Sequence, residues 1–180
     1  MKFIKVTIFI VFCIFILGIT GADKYFTPDA IKLVFEKHFL LSTLIFVILF
    51  CVGNILYIPG WVFLIGAVWG VGKVNAYFIT LLAAYISCIV GFHLIHYIGE
   101  EAIREIDNKW VKKLLSKLDE KPVLITIILR SIFATAPILN YAMAMSGVPF
   151  RKFMTGTLIG LPLPILLYAI FIEKLIELVS

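Results

Sequence analysis

Charged side chains are scarce in this sequence, and its longest apolar stretch has none. Asp, Glu, Lys and Arg make up 15% of the 180 residues, whereas 62% are hydrophobic. From Phe39 to Gly72 no side chain is ionised. This apolar share, with a mean hydropathy of +1.09, lies far above that of soluble domains. The scarcity of charge excludes an ordinary soluble domain and predicts an integral membrane protein.

Paired cysteines, clustered metal ligands and catalytic motifs are also missing. Cys13, Cys51 and Cys88 each lie within an apolar run, so they are interpreted as packing residues and not as a disulfide framework. His93 and His96 share a helix face, but two ligands without a third make a poor zinc site. The sequence has no nucleophile motif, phosphate loop or membrane-buried carboxylate pair. We therefore expect no enzyme activity, no catalytic residue, no metal and no cofactor.

Basic residues outnumber acidic ones, 16 against 11, and most of these charges lie in short connections between apolar runs. In such places Lys and Arg set membrane orientation and attract anionic lipid head groups. The expected partners are therefore membrane lipids, and the charge does not indicate nucleic acid binding. Lys2, Lys5 and the lysine-rich segment 100–121 place the N-terminus and this segment in the cytoplasm.

Two segments precede the first long apolar run. Residues 1–22 combine a basic start, a short apolar core and small residues, which suits either a first transmembrane helix or a signal peptide cleaved after Ala22. Residues 23–37 mix charges with an apolar face, and Pro28 stands where a first helical position is expected. This second segment is predicted to be an amphipathic helix on the membrane surface.

Residues 38–180 are predicted to form one membrane domain with two interrupted apolar segments. The segment 39–72 is too long for one ordinary crossing and too short for two, and Pro59 with Gly60 breaks it near the middle. The segment 123–147 repeats this plan, with a break at Pro137 and a glycine, Gly147, at its end. Matching interrupted segments in two halves predict two opposed re-entrant hairpins related as inverted repeats.

Two uninterrupted spans and a polar connector complete this domain. Residues 76–97 and 153–172 are long and apolar enough to cross a membrane, and 100–121 forms a cytoplasmic amphipathic connector. On the outgoing arm of the first hairpin, Gly66 and Gly70 are four residues apart. This spacing predicts a face on which another helix packs closely.

Arg130 is the first candidate for a functional residue, because a permanent charge inside an apolar run needs a partner, a ligand or water. Asn140 and Tyr141 follow the break at Pro137, so the three side chains are predicted to line one cavity and bind substrate. Two other interpretations stay open. Arg130 is close enough to Pro122 to snorkel to the interface, and Asn140 and Tyr141 have the groups to satisfy backbone freed at Pro137.

The order of proline, glycine and arginine motifs across residues 40–170 is that of a known family. The motifs are Ile58-Pro-Gly-Trp61 with Gly66 and Gly70, His96-Tyr-Ile-Gly99, and Arg130 with Pro137-Ile-Leu-Asn-Tyr141 and Gly147. Together they resemble the DedA superfamily, also called the VTT or SNARE-associated Golgi protein family. The resemblance implies two opposed re-entrant hairpins, a bacterial inner-membrane location, and lipid movement between leaflets by a scramblase or flippase of phospholipids or polyprenyl phosphates.

The chain departs from the family pattern at charged positions. Many bacterial members have a second arginine where this chain has Ala136, and acidic residues near the first hairpin where it has Gly53, Asn54 and Trp61. We therefore do not expect transport to depend on a proton gradient. The sequence predicts an all-α polytopic membrane protein that translocates lipids. An ion-coupled small-solute transporter and a non-transporting membrane scaffold are the alternative functions.

Overall fold

The computed structural model describes residues 28–99 and 109–179, and every regular element in these ranges is a helix. In chain order they are α1 (Pro28–Lys37), α2 (Phe39–Ile55), α3 (Gly60–Gly99), α4 (Lys109–Glu120), α5 (Pro122–Phe133), α6 (Pro137–Ala144), α7 (Phe150–Gly160) and α8 (Pro162–Val179). The predicted all-α class is confirmed. The predicted N-terminal helix 1–22 and part of the connector 100–121 lie outside the described residues.

Helix α2 buries a face of mixed polarity, with Val47 and Phe50 beside polar side chains, and exposes an apolar face. Ser42 and Asn54 are buried, whereas Leu40, Leu44 and Ile48 are exposed, Leu40 by 83%. An amphipathic helix of a soluble protein instead exposes charged and polar residues on its outer face. Exposed apolar surface of this extent indicates that α2 contacts lipid.

Two helical stretches in the described ranges are long and apolar enough to cross a membrane, Gly60–Ile95 and Phe150–Leu178. Their lengths of 36 and 29 residues exceed the roughly 20 that a crossing needs. The second stretch consists of α7 and α8, which abut at Leu161 because Pro162 begins a new helix. These stretches contain most of the predicted span 76–97 and all of 153–172.

Gly72 divides α3 into two helical parts. Its backbone angles, φ 74° and ψ 162°, are not helical, and glycine takes such a conformation far more readily than other residues. Residues 60–71 therefore form a separate arm that precedes the long helix 73–99. The division coincides with the predicted end of the first interrupted segment.

Two helical pairs are each joined by a tight turn. The first helical pair is α2 with residues 60–71, and the second helical pair is α5 with α6. Each turn contains a non-glycine residue with positive φ, Tyr57 at 66° and Ala134 at 46°. Such a conformation costs about 1–3 kcal/mol, so surrounding contacts must hold each turn in place.

Close packing of two helices occurs at a glycine pair other than the one that the sequence predicted. At Gly66 an added Cβ would meet no atom within 4 Å, which corrects the prediction of close packing there, and Gly70 is buried. On α7, a Cβ at Gly160 would lie 2.7 Å from Arg130 Cβ, and one at Gly156 would overlap Thr126. The glycine spacing is equal on both helices, but Gly66 faces open space, whereas both glycines of α7 lie against a neighbouring helix, α5.

The turns of the two helical pairs meet at Gly60. A Cβ added there would overlap Thr135 Oγ1 and would lie 2.8 Å from Phe50 Cζ. A buried apolar core surrounds this contact; its largest fully buried members are Phe50, Leu64, Met143, Phe153, Leu161 and Ile165. The side chains near the two turns are therefore positioned by packing from several helices.

Candidate functional site

Arg130 lies in the last turn of α5 and is completely buried, with 0% of its surface exposed. Among the described residues, no other charged side chain is buried. Thr126, one turn earlier, is the other buried residue of α5, and its hydroxyl donates to Pro122 O at 2.7 Å. The inward face of α5 is therefore polar. Arg130 does not extend to an exposed interface, as snorkelling would require.

Four hydrogen bonds hold the Arg130 guanidinium. Its Nε donates to Thr157 Oγ1 at 3.3 Å, and its Nη1 donates to Ala134 O at 3.2 Å. Its Nη2 donates to Asn140 Oδ1 and lies 3.3 Å from Cys88 Sγ. The guanidinium thus joins α5 to α3, α6 and α7.

None of the partners of Arg130 in the described part of the chain is a carboxylate. The Phe153 ring lies 5.3 Å from the guanidinium carbon and adds a cation–π contact. Such a contact contributes about 2 kcal/mol when desolvated, less than the several kcal/mol that burying an ion costs. The site therefore keeps an uncompensated positive charge within reach of the two turns.

A chain of side-chain amides connects Arg130 to the first helical pair. Asn140 accepts from Arg130 with Oδ1 and donates from Nδ2 to Asn54 Oδ1 at 3.0 Å. Asn54 in turn donates to Thr135 O at 3.4 Å, in the turn of the second pair. Both asparagines are buried. The two helical pairs are thus linked by polar contacts across an otherwise apolar interior.

Tyr141 contacts the first helical pair and not the guanidinium. Its hydroxyl donates to Ile55 O at 2.7 Å, and its ring meets the Tyr57 ring edge to face with 4.8 Å between centroids. Ile55 ends α2, where carbonyl groups have no partner within the helix. Of the three predicted binding residues, Arg130 and Asn140 are therefore in contact, whereas Tyr141 satisfies backbone at the end of α2.

The predicted break residues lie at the ends of helices. Pro59 lies in the turn of the first helical pair, and Gly60 begins α3. Pro137 begins α6. Gly147 follows α6 with φ 74°, a left-handed conformation that favours glycine. These residues set the directions from which the two pairs approach each other.

A cavity of about 260 Å³ lies beside the contact between the two turns. Gly60 and Trp61 line it from the first pair, and Ala134 and Thr135 line it from the second. Ala134 also accepts a hydrogen bond from Arg130, so the guanidinium lies directly behind the cavity wall. Thr80 Oγ1 is buried in this wall and has no hydrogen-bond partner in the described structure.

Four residues of this region were not identified from the sequence: Asn54, Thr80, Cys88 and Thr157. Asn54 had a signal, because it is the one side-chain amide in the uncharged segment from Phe39 to Gly72. Cys88 was interpreted as a packing residue, and its thiol instead lies against Arg130 and Asn140. Thr80 and Thr157 lie in helices that carry other hydroxyl side chains, such as Ser87 and Thr155, so the sequence gives no local indication of their partners.

No curated protein and no solved structure matches this chain. The profile of the VTT domain matches residues 58–174, which is more than half of the sequence. The matched part contains Arg130, Asn140, Tyr141 and all residues that line the cavity between the turns, and Asn54 precedes it. Together with the two long apolar helices in the described ranges, this match indicates a membrane protein. The chain belongs to the VTT-domain family, the DedA and SNARE-associated family.

Proposed function

We propose that this protein moves lipids between the two leaflets of a membrane, as a scramblase or flippase of phospholipids or polyprenyl phosphates. VTT-domain proteins are generally non-enzymatic membrane proteins, so a transport function suits the family. The observation that carries the proposal is the buried charge of Arg130, which has neutral partners and lies behind a cavity. Phosphate is the common anion of membrane lipids, and a guanidinium fits its oxygens with paired hydrogen bonds.

The short helices next to this charge support the two opposed re-entrant hairpins expected from the sequence. Helix α5 has 12 residues and α6 has 8, so they are about 18 Å and about 12 Å long. Neither length spans a hydrocarbon core of about 30 Å. Non-helical backbone at membrane depth is tolerated where it is buried in protein or lines a cavity, as the turns at Gly60 and Thr135 do.

The exposed rim of the cavity favours a lipid over a soluble substrate. Ile132, Phe133 and Trp61 line the cavity and are more than half exposed, so the opening has an apolar edge. A lipid can keep its acyl chains against this edge while its phosphate enters between the turns. Because Arg130 is wholly buried, the turns must separate at Gly60 and Thr135 before a phosphate reaches the guanidinium. Asn140 then exchanges its bond with Arg130 for one to the lipid.

Reconstitution tests this function directly. The purified protein is placed in vesicles that contain a trace of fluorescent phospholipid, and a membrane-impermeant reductant is added outside. Without protein, only the outer-leaflet fluorescence is lost. With protein and no ion gradient, we expect the inner-leaflet fluorescence to be lost as well. Absence of this second loss, together with uptake of a soluble anion into the same vesicles, would favour the small-solute transporter.

Orientation is a second part of the proposal. In α4, Leu115 and Leu118 are buried while Lys112, Lys113 and Lys117 are exposed, so this helix presents a basic face to its surroundings. We place this face and the N-terminus in the cytoplasm by the excess of basic residues. A cysteine at the exposed position Ser116 is expected to react with an impermeant maleimide only after the cells are opened. Labelling in intact cells would reverse the orientation.

A further inference from the structure

We infer that the cavity between the two turns accepts a phosphodiester and discriminates against a phosphomonoester, so that the substrates are phospholipids whose phosphate carries one negative charge. This inference rests on the proposed function and narrows its substrate class, because polyprenyl phosphates and phosphatidic acid are monoesters. Two observations carry it. One is the charge of the residues around the cavity, and the other is the unpartnered hydroxyl of Thr80.

The charge available to a bound phosphate is a single positive one. The described residues that line the cavity are all uncharged, and Arg130 lies directly behind the wall at Ala134. The other partners of the guanidinium, Thr157, Asn140 and Cys88, are neutral groups that add no positive charge. One guanidinium therefore balances one negative charge.

The two classes of phosphate differ in this respect. A phosphodiester carries one negative charge, whereas a phosphomonoester carries about 1.5 to 2 at pH 7, since its second pKa is about 6. Beside Arg130 the diester forms a neutral pair. The monoester leaves negative charge unpaired beside a guanidinium that is wholly buried, and burying an unpaired charge is unfavourable.

Thr80, which lines the cavity, supplies a second donor from another helix. Its side chain is 2% exposed, and its hydroxyl has no partner in the described structure although buried hydroxyl groups are normally hydrogen-bonded. Thr80 belongs to α3, whereas Arg130 belongs to α5. A diester has two non-bridging oxygens, so Arg130 and Thr80 can each donate a hydrogen bond to one of them. The Thr80 hydroxyl is thus positioned for a ligand that the protein itself does not provide.

The first experiment compares two lipids with identical, acyl-labelled tails, phosphatidylglycerol and phosphatidic acid, in the same vesicles. At neutral pH, above the second pKa of about 6, we expect the diester to move at least about tenfold faster after subtraction of protein-free rates. At lower pH the monoester takes up a proton, so the difference should narrow while the diester rate stays constant. Equal rates at neutral pH would overturn the inference alone. Movement of neither lipid would overturn the proposed function and the inference with it.

The second experiment uses three variants. Thr80→Val removes the unpartnered hydroxyl, so diester movement should fall several-fold while the thermal unfolding temperature stays unchanged or rises. Thr43→Val is the matched control, because Thr43 Oγ1 is also buried without a partner but does not line the cavity. Ala136→Arg adds a second cation to the cavity wall and should shift the preference toward the monoester. An unchanged rate in Thr80→Val and an unchanged preference in Ala136→Arg would contradict the inference.

Discussion

The two helical pairs have the same plan but contribute different chemistry to the site. Each has a proline near its turn and a non-glycine residue with positive φ. The first pair supplies neutral groups, the Asn54 amide and the Ile55 carbonyl. The second supplies the charge of Arg130 and the donors Asn140 and Tyr141 that reach across to the first. The comparison teaches that neither pair alone forms the site: the amide chain from Arg130 is completed only where the pairs meet, and two further bonds of the guanidinium go to Cys88 and Thr157 outside both pairs.

The largest expected effect follows from removing the charge of the second pair. Arg130→Ala should lower lipid movement about 100-fold, because charged hydrogen bonds contribute up to roughly 3 kcal/mol and every 1.36 kcal/mol is tenfold in rate. Arg130→Lys should recover part of the activity, since lysine keeps the charge but loses the planar fork. The measurement is the initial rate of inner-leaflet fluorescence loss at matched protein density.

Arg151→Ala is the matched control for this series. Arg151 is an exposed arginine at the start of α7, so its loss should leave the rate within about twofold of the unmodified protein, as surface substitutions usually do. Full activity of Arg130→Ala would show that Arg130 does not bind the lipid phosphate. Full rescue by lysine would indicate that Arg130 acts as a point charge without paired hydrogen bonds.

The second effect comes from giving the neutral first pair a charge of its own. In Asn54→Asp a carboxylate would accept the hydrogen bond from Asn140 and would lie one side chain away from Arg130. We expect it to compete with the lipid phosphate and to slow transport about tenfold at neutral pH, which corresponds to roughly 1.4 kcal/mol. The rate should recover as the pH falls, because a protonated carboxyl group no longer competes for the guanidinium.

The unmodified protein and Asn75→Asp are the controls for this prediction. Asn75 is exposed at the start of the long helix 73–99 and donates to Val71 O, away from the site, so a charge there should not change the pH profile. The unmodified chain, without a carboxylate in the network, should transport diester lipids at a rate that depends little on pH or on a proton gradient. If Asn54→Asp had the same pH profile as the unmodified protein, a carboxylate at position 54 would not compete with the lipid for Arg130, and the prediction would be wrong.

Several helix ends lie at local signals in the sequence, although the predicted span 153–172 is divided at Leu161. Pro137 begins α6, Gly60 begins α3, and Gly72 interrupts α3, all at positions where proline or glycine breaks an apolar run. The uncharged segment from Phe39 to Gly72 indicated membrane surroundings by composition alone. None of these features depends on which helix is the neighbour.

The contacts between helices were less predictable, because identical local patterns have different neighbours. The pair Gly66 and Gly70 has the same spacing as Gly156 and Gly160, yet close packing is found at the second pair and not at Gly66. Tyr141 was expected beside Arg130 and instead donates to a carbonyl group 86 positions earlier. Sequence spacing describes one helix surface at a time, so it cannot assign such partners.

The third prediction uses the difference between the glycine positions. Gly160→Ala would place a Cβ against Arg130 Cβ and Ile127 O, so it should destabilise the protein by about 1–3 kcal/mol. Gly66→Ala meets open space and should stabilise the helix by about 0.5–1 kcal/mol. Thermal unfolding in detergent measures both. Equal effects of the two substitutions would contradict the asymmetric packing of the helical pairs.

The smallest expected effect concerns the contact that joins the two pairs at Tyr141. Tyr141→Phe removes the hydroxyl that donates to Ile55 O and keeps the ring beside Tyr57, so the free energy of unfolding should fall by about 0.5–1.5 kcal/mol. Tyr57→Phe keeps this hydrogen bond and serves as the control. If Tyr141 joins the pairs, the variant loses stability while lipid movement changes less than about threefold, because the guanidinium and Asn140 remain in place. If Tyr141 instead binds the phosphate, the rate of lipid movement falls by more than about threefold, and this loss exceeds the loss of stability when both are expressed as free energies. The ratio of the two losses therefore separates the contact seen in the structure from the binding role that the sequence predicted.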